Sequence, residues 1–407
     1  MKKRVFTIPL LLLFMGAGCT TNYFDPGTTP ADSPSTTTTT PAASVTIATT
    51  TLTLKNGRTL SLAHPDDYSL SVAAEGYKRL RFMAKSPDNR LFAGEMFNAN
   101  DSTQGNVYIF DAFNAQTKKL TGVHTYLSNL RNPHSLAFYT DTNNTTWLYI
   151  ALTDKLVRYA YTPGDNAPKS KPETIATFPA YGQTVKQGGW HLTRTIVVHN
   201  DKLYVSVGSS CNSCEEKESE PSRASILVMN PDGSENHVFA TGLRNAVGLT
   251  FVGDALLATN NNADHLGDDR PADTVYEVLE GKNYGWPYCY EFNKKIEADT
   301  SQKWTKNFDC TTVPLADVEL PPHSAPLGIT YAGKQLLIAL HGSGNKKLQT
   351  GYTIVSADQN GTVSPLLTGF QQGMTVMGRP AGILVNNEKS FFVTDDFNGA
   401  LYYVEKK

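Results

Sequence analysis

The sequence is poor in cysteine and has no concentration of charge. Among 407 residues there are 5 cysteines, and 36 lysines and arginines nearly balance 38 aspartates and glutamates, for a formal net charge of −2. Because non-specific binding to nucleic acid depends on neutralising phosphates, a chain without a basic run is not expected to bind nucleic acid. Beyond the amino-terminal region, no apolar run is long enough to span a bilayer. A sustained helical period of apolar residues is also missing, which favours an all-β fold.

The amino terminus has the order of an export signal. A basic start at residues 1–4 precedes the mostly apolar residues 5–15 and the small residues 16–18, and Cys19 follows. This order predicts a signal peptide over residues 1–18. A cysteine directly after small residues further predicts a bacterial lipoprotein lipidated at Cys19, with ordinary secretion as the alternative. We therefore expect a periplasmic or cell-surface protein whose attachment to the membrane is the lipid anchor.

The next segment, residues 19–51, has the composition of a tether. It is rich in Thr, Pro, Ser and Ala and includes five consecutive threonines at positions 36–40. Such a segment has little apolar surface to bury, so we expect a disordered linker. The folded domain is then expected to occupy residues 52–407, which is long enough for a large hydrophobic core.

The remaining four cysteines fall into two pairs. Export would place them in an oxidising compartment, where Cys211 with Cys214 and Cys289 with Cys310 are expected to form disulfides. The alternative for Cys211 and Cys214 is half of a zinc site. No second ligand pair of suitable spacing accompanies them, so the disulfide is favoured.

Short apolar runs recur along the folded region. Six of them begin at Leu91, Leu148, Leu203, Leu256, Leu336 and Phe391, with spacings of 57, 55, 53, 80 and 55 residues. Each run follows a turn-rich stretch, and five of these turns follow another apolar run, as in hairpins of successive propeller blades. The sequence therefore predicts an all-β, six-bladed β-propeller. The longest spacing contains an insertion at about residues 284–322. An antiparallel sandwich is the alternative, but its strands are not expected to recur in pairs at this period.

Polar residues stand immediately before the inner strands of the predicted blades. In a propeller these positions ring one mouth of the central channel. They are occupied by Arg131, His134, His191, Arg244, Asn245, His323 and Arg379. Guanidinium and imidazole groups that converge on one mouth predict a pocket that binds an anion and supports acid–base chemistry.

Several motifs resemble those of a known family. They are GLRNAVGL at 242–249, YGWPYC at 284–289, GRP at 378–380, DDFNG at 395–399 and GGWH at 188–191. These segments resemble the soluble pyrroloquinoline quinone (PQQ)-dependent sugar dehydrogenases, especially the sorbosone and aldose dehydrogenase branch, over residues 76–404. The resemblance implies a six-bladed propeller that oxidises a sugar, sugar aldehyde or polyol by hydride transfer to PQQ. A quinone or a cytochrome would then accept the electrons.

The resemblance also assigns residues to the cofactor. PQQ is a planar quinone with three carboxylates, for which guanidinium and ammonium groups are suitable partners. Arg244 and Arg379 match the family's cofactor-binding arginines, and Asn245 lies beside the first. Either Lys346 or Lys347 corresponds to the family's lysine, and Arg131 is a further candidate. For each arginine the alternative role is a salt bridge between blades.

Family members hold the quinone with calcium, which prefers oxygen ligands. Residues 260–273 form the densest oxygen-rich segment of the chain. The candidate ligands within it are Asn262, Asp264, Asp268, Asp269 and Asp273. The alternative is a solvated turn whose side chains bond to local backbone.

His191 matches the family's catalytic base. A neutral imidazole suits this role because its ordinary pKa lies near neutral pH. An aspartate precedes this histidine in glucose-oxidising members, whereas Trp190 stands there in this chain, so any group that orients the imidazole must lie elsewhere. His134 and His323 occupy comparable ring positions and are the reserve candidates.

Two other functions fit the same architecture. The first is a calcium-dependent lactonase-type hydrolase, in which an oxygen-rich mouth activates water. The second is a non-catalytic, glycan-binding surface lipoprotein. The paired Arg244 and Arg379 favour the dehydrogenase, because neither alternative requires cations directed at one planar anion.

Overall fold

The computed structural model describes residues 45–180, 190–344 and 347–407. Within these ranges the chain forms β-strands and one short 3₁₀ helix, Cys310–Thr312, which confirms the all-β class. No helix in the described ranges is long and apolar enough to cross a membrane. The predicted signal peptide, Cys19 and most of the predicted linker lie outside the described residues.

A hairpin outside the blades begins the described chain. Strands β1 (Ile47–Thr53) and β2 (Thr59–Pro65) pair antiparallel, and a single bridge joins Ala63 to Thr368. Buried and more exposed side chains alternate along β2, as burial of one face requires. Because β1 starts before position 52, residues 47–51 of the predicted linker form part of a strand.

Six four-stranded antiparallel sheets follow, which confirms the predicted six blades. The strands up to the third blade are β3 (Tyr68–Glu75), β4 (Arg79–Lys85), β5 (Leu91–Met96), β6 (Gly105–Asn114), β7 (Lys119–Leu130), β8 (Ser135–Thr140), β9 (Thr146–Ala151), β10 (Lys155–Tyr161), β11 (Glu173–Thr177), β12 (Arg194–His199), β13 (Lys202–Val207), β14 (Ser225–Met229) and β15 (His237–Thr241). Blades one to three are β4–β7, β8–β11 and β12–β15, each ordered from the inside outwards.

The second half of the ring repeats the arrangement. Its strands are β16 (Ala246–Val252), β17 (Ala255–Asn260), β18 (Asp273–Glu277), β19 (Cys289–Phe292), β20 (Lys295–Ala298), β21 (Val318–Leu320), β22 (Pro326–Ala332), β23 (Gln335–Leu340), β24 (Thr353–Ala357), β25 (Val363–Leu367), β26 (Gln371–Gln372), β27 (Thr375–Val376), β28 (Pro380–Asn387), β29 (Ser390–Asp395) and β30 (Ala400–Lys406). The fourth blade is β16, β17, β18 and β21, and the fifth is β22–β25.

The ring closes through its amino-terminal strand. The sixth blade consists of β28, β29 and β30, with β3 as its outermost strand. Strand β3 pairs antiparallel with β30, for example Leu70 with Val404. The first and last strands of the propeller therefore share one sheet, and pairing with β3 covers the free edge that β30 would otherwise expose.

Apolar contacts between neighbouring blades form the core. One cluster joins Phe92 and Ile109 of the first blade to Leu136 and Leu148 of the second, and all four are buried. The channel is narrow in the fourth, fifth and sixth blades, where Gly248, Gly328 and Gly382 occupy the inner strands. A Cβ on these glycines would lie 2.1, 2.6 and 2.8 Å from a carbonyl oxygen of the next inner strand. The inner strands therefore pack backbone to backbone below the mouth.

The fourth blade contains the predicted insertion, between β18 and β21. Strands β19 and β20 form a hairpin within it, and the disulfide Cys289–Cys310 closes it. The second predicted disulfide, Cys211–Cys214, also forms. Both sulfurs of the possible zinc half-site are thereby used, so the disulfide interpretation is confirmed.

Candidate active site at the mouth of the propeller

A cavity of about 390 Å³ opens where the inner strands begin. Its volume falls within the range typical of small-molecule sites. Five of the six blades contribute to its wall. The polar lining residues include Arg79, Arg81, Asn100, His191, Asn245, Asn261, His341 and Arg379. This cavity lies at the mouth to which the sequence analysis assigned the site.

The imidazole of His191 is held in one tautomer. Its Nδ1 lies 2.9 Å from the carbonyl oxygen of Ser209 and 3.1 Å from the Ser209 hydroxyl. A carbonyl oxygen only accepts hydrogen bonds, so Nδ1 carries the proton and donates it. Nε2 is then an acceptor and has no hydrogen-bond partner among the described residues. Ser209 thus supplies the orientation that a preceding carboxylate would otherwise give.

The surroundings of His191 keep it neutral. Burial, and after it the positive charge of Arg244, lower the pKa of His191 well below its usual value. Both causes act against the charged imidazolium. A neutral imidazole with a free Nε2 is the state that accepts a proton from a substrate hydroxyl.

His191 packs closely against Gly208, the residue that follows strand β13. A Cβ on Gly208 would lie 2.5 Å from Cβ of His191 and 2.6 Å from Oδ1 of Asn245. These distances are shorter than non-bonded carbon contacts permit. Glycine is therefore required at this position for His191 and Asn245 to occupy the cavity wall together.

Replacing Gly208 by alanine is expected to displace the imidazole. A shift of about 1 Å lowers turnover on the order of 10²-fold, while the blade itself should remain folded. The matched control is Gly344→Ala on another part of the cavity wall, where a Cβ meets no described atom within 4 Å. Steady-state rates and thermal unfolding of both variants check the prediction, and equal rates for the two would contradict it.

Arg379 lies in the cavity wall with part of its guanidinium uncommitted. Its Nη2 donates to the Ser343 carbonyl oxygen and to the Tyr352 hydroxyl, each at 3.0 Å. Its Nη1 lies 3.4 Å from Nδ1 of His341. Nε has no partner among the described residues. The structure thus places Arg379 where the sequence analysis expected a cofactor ligand.

A buried carboxylate, Asp396, organises a cationic cluster that sequence reasoning missed. It accepts hydrogen bonds from Arg79 at 2.9 Å, from Arg81, and from Nε2 of His341 at 2.8 Å. Burial by itself raises the pKa of Asp396, but His341, Arg81 and Arg79 hold that pKa well below its usual range. Two guanidinium groups therefore contact this carboxylate directly, and Arg379 lies next to its third partner, His341. Three arginines against one carboxylate leave an excess of positive charge beside the cavity.

Arg244 is buried behind the cavity wall, and protein acceptors use all of its N–H groups. Nε and Nη2 donate to the backbone and side-chain oxygens of Asn212, both at 2.9 Å. Nη1 donates to the carbonyl oxygens of Asn261 and Asn262, and Nη2 also contacts Asp264 at 3.3 Å. Arg244 does not line the cavity, although its neighbour Asn245 does. Its role as a direct cofactor ligand stays a prediction.

The other predicted cofactor residues lie elsewhere. Arg131 pairs with Asp101 and lines an open groove of about 870 Å³ at the first and second blades. We assign the site to the smaller cavity because His191 and the cationic cluster line that one. Lys347 is exposed and does not line the cavity. Lys346 lies outside the described residues.

The predicted calcium ligands do not meet at one point. Asp273 is buried, where it accepts hydrogen bonds from the backbone N–H groups of Asn262 and Ala325 at 2.8 and 2.9 Å. Burial raises the pKa of Asp273 to about 6. Asp264 bonds to Arg244 and to His323, whereas Asp268 and Asp269 are exposed. In the described ranges no three carboxylates of this segment come close enough to share an ion, so the segment does not form a calcium cage.

The reserve histidines have structural partners. His134 is buried below the cavity, where its Nδ1 accepts from Nε of Arg81 at 3.1 Å. His323 contacts Asp264 at 3.2 Å and the Gly267 carbonyl oxygen at 2.7 Å. Neither lines the cavity. Of the three ring histidines singled out in the sequence, the structure brings His191 into the cavity wall.

These features define a class of protein: a six-bladed propeller in which a neutral histidine and a cationic cluster share one small-molecule cavity. The chain belongs to the TrAA12-like family, whose family model matches residues 63–407. The expected relationship to the soluble PQQ-dependent sugar dehydrogenases is confirmed at the level of family and fold.

Comparisons with individual proteins agree with this placement. An uncharacterized protein of Borreliella burgdorferi is 29% identical over 333 residues, which cover 74% of this chain and 84% of that protein. A pyrroloquinoline quinone-dependent pyranose dehydrogenase of Coprinopsis cinerea is 26% identical over 215 residues, covering 41% of this chain but only 29% of that protein.

Solved structures show the same fold. The holo form of the pyranose dehydrogenase PQQ domain from Coprinopsis cinerea superposes with a TM-score of 0.68 at 18% identity, covering 85% of this chain and 97% of that chain. The calcium structure of the Trichoderma reesei carbohydrate-active enzyme of family AA12 gives a TM-score of 0.68 at 18% identity, covering 84% and 96%. At these identities the likeness shows the fold alone.

Proposed function

We propose that the protein is a PQQ-dependent dehydrogenase that oxidises a sugar, a sugar aldehyde or a polyol. One observation carries the proposal: His191, with its free Nε2, lines the same cavity as Arg79, Arg81 and Arg379. The names of the relatives add support, because a pyranose dehydrogenase dependent on PQQ matches this chain in sequence and a PQQ domain matches it in fold.

The cationic wall fits a planar molecule with several carboxylates. Guanidinium groups hold carboxylates through short, charge-assisted hydrogen bonds. Arg379 and Asn245 both line the cavity, and neither Nε of Arg379 nor the side-chain amide of Asn245 has a partner among the described residues, so these two residues would hold the cofactor. Arg79 and Arg81 would contribute mainly charge, because Asp396 already accepts from both.

The separate roles of His191 and of the cofactor follow from the chemistry of alcohol oxidation. Removing two electrons from a sugar hydroxyl breaks its O–H bond and the C–H bond of the same carbon, and a C=O bond forms. His191 takes the hydroxyl proton at Nε2, while its Nδ1–H remains bonded to Ser209. Bound PQQ supplies the two-electron acceptor. An imidazole fixed in this way does not have to reorganise when the proton arrives.

Trp190 is a candidate contact for the substrate at the edge of the site, although it does not itself line the cavity. It is 40% exposed, it precedes the base in the chain, and its ring centroid lies 6.1 Å from that of His191. An exposed aromatic ring with an apolar face suits the apolar face of a sugar ring. We propose that Trp190 helps to seat the sugar with one hydroxyl toward Nε2 of His191.

Reconstitution tests the proposed function directly. The mature protein is incubated with PQQ, with and without calcium, and reduction of an artificial dye is followed while sugars and polyols are supplied in turn. We expect sugar-dependent dye reduction that requires PQQ. Lactone hydrolysis without PQQ would favour the hydrolase instead, and glycan binding without turnover would favour the non-catalytic alternative.

The pH dependence of turnover should reflect the lowered pKa of His191. The imidazole is active while neutral, so activity is lost only as the pH falls through its pKa in the folded protein. Because that pKa lies below the ordinary value of about 6.5, the acid limb of kcat/KM should also lie below about pH 6.5. A rate profile recorded from pH 4 to 8 in buffers of constant ionic strength checks this, and an acid limb at or above the ordinary value would contradict it.

A further inference from the structure

A small disulfide-closed turn lies directly behind the base. The disulfide turn, residues 211–214, is closed by the bond between Cys211 and Cys214. Cys211 is buried and packs with Ala224 and Trp286. The turn follows Ser209, the residue that holds His191, after a single intervening position.

Asn212 presents two oxygens from this turn to four donors. Its carbonyl oxygen accepts from Nε of Arg244 at 2.9 Å and from Nε1 of Trp286 at 3.2 Å. Its Oδ1 accepts from Nη2 of Arg244 and from the backbone N–H of Asp264, both at 2.9 Å. One short residue therefore holds two N–H groups of a buried guanidinium. It also ties the 261–264 segment to the turn.

Two routes connect the turn to the imidazole. In the first, the Ser209 hydroxyl donates to the Cys211 carbonyl oxygen at 2.6 Å, and the same hydroxyl lies 3.1 Å from Nδ1 of His191. In the second, Asn212 holds the side chain of Arg244. The backbone carbonyl oxygen of Arg244 in turn accepts from the Ser209 backbone N–H at 2.8 Å. The first route ends at the Ser209 hydroxyl and the second at the Ser209 backbone N–H, so both end at the residue that selects the tautomer of His191.

The outer side of the turn supports the insertion. Nε2 of Gln302 donates to the hydroxyl of Ser213 at 2.8 Å. Glu215, one residue beyond the turn, accepts from Tyr288 and from the backbone N–H of Lys306. The insertion has its own disulfide, Cys289–Cys310, which has no comparable bond to Ser209 or Arg244 among the described residues. The chain therefore offers a matched control.

We propose that Asn212, on its disulfide-closed turn, is a positioning residue for the base: it fixes Arg244 and, with Cys211, the oxygens of Ser209 that orient His191. This inference rests on the proposed function only insofar as it names His191 as the base. The turn restricts Asn212 so that both of its oxygens stay directed at the guanidinium. Without the cross-link, Arg244 and Ser209 would be free to shift, and the imidazole with them.

The test compares four variants of the full chain: Asn212→Ala, Asn212→Asp, the double variant Cys211→Ser with Cys214→Ser, and the control Cys289→Ser with Cys310→Ser. Two readouts are taken. The first is kcat and KM of the PQQ-loaded protein. The second is the ¹⁵N spectrum of histidine-labelled, cofactor-free protein, in which the His191 signals are identified with a His191→Gln sample. Thermal unfolding confirms that each variant is folded.

We expect Asn212→Ala and the Cys211/Cys214 double variant to lower kcat about ten-fold or more with little change in KM, as a displaced base should. In both, the ¹⁵N pattern of His191 should move from the neutral Nδ1–H tautomer toward a mixture. Asn212→Asp keeps a side-chain oxygen that can accept from Nη2 of Arg244 and from the backbone N–H of Asp264, so it should retain most of kcat. The Cys289/Cys310 control should retain the parent spectrum and rate.

Other outcomes separate the two proposals. A parent-like spectrum of His191 in Asn212→Ala overturns the positioning role, and so does an equal loss in the Cys289/Cys310 control. If the parent protein turns over no sugar, the proposed function fails, while the ¹⁵N spectra alone still decide whether Asn212 orients His191. If the Cys211/Cys214 double variant does not fold, Asn212→Ala and Asn212→Asp carry the comparison.

Discussion

Replacing His191 by glutamine is expected to lower kcat for sugar-dependent dye reduction by about 10²- to 10⁴-fold, the contribution typical of a positioned general base. Glutamine keeps a polar side chain in the cavity but accepts no proton at neutral pH. The loss should fall on kcat, because no residue of the cationic cluster around Asp396 is bonded to the imidazole of His191. Steady-state rates of the PQQ-loaded variant measure the effect, and a separate PQQ titration shows that the cofactor is bound.

The control for this variant is His323→Gln. His323 also precedes an inner strand, but it bonds to Asp264 and to the Gly267 carbonyl oxygen and does not line the cavity. Its replacement should leave kcat close to that of the parent. If both variants lose activity equally, or if His191→Gln keeps its rate with PQQ bound, His191 is not the base.

Replacing Arg379 by alanine is expected to weaken PQQ binding by about 30-fold or more. The side chain lines the cavity, and loss of a charge-assisted contact with a carboxylate costs about 2 kcal/mol, which corresponds to that factor in the dissociation constant. The remaining charges of Arg79 and Arg81 should prevent complete loss. Equilibrium titration with PQQ at fixed ionic strength gives the value directly.

Arg131→Ala serves as the matched control for Arg379. Arg131 pairs with Asp101 and lines the groove at the first and second blades, and it does not line the cavity with His191. Its removal should leave the PQQ dissociation constant unchanged. A larger effect from Arg131 than from Arg379 would place the cofactor in that groove and refute the site described above.

The repeat predicted the blades because each blade must bury the same pattern of apolar side chains. The inner strand of the first blade escaped detection, since β4 begins with Arg79 and carries Arg81, and these charges interrupt its apolar run. Both arginines pair with Asp396, more than 300 positions away, and no pattern within one strand reveals that pairing. Side chains so distant in sequence meet only because the ring closes.

The amino-terminal hairpin shows a different limit. Threonine-rich composition predicted a linker up to residue 51, yet Ile47–Thr53 forms β1. Threonine is β-branched and favours strands where a partner is present, as β2 is here. Composition alone does not reveal the partner, so the boundary was placed several residues too late.

For the candidate site, the sequence predicted which residues lie at the cavity better than it predicted their hydrogen-bond partners. The phase of the repeat placed His191, Asn245 and Arg379 at the cavity, where the structure has them. Arg244 occupies the same position in its repeat and was predicted to bind the cofactor. Its five N–H groups are all bonded within the protein, which no motif indicates. The orienting role of Ser209 was equally hidden, because a backbone carbonyl oxygen carries no sequence signal.

Titration of the mature protein with PQQ, followed by addition of sugar and dye, tests the central claim most directly. The account predicts saturable binding of one PQQ per chain, weakened in Arg379→Ala, and dye reduction that begins only when sugar is present. Absence of saturable binding, or binding that is insensitive to the loss of Arg379, would contradict it.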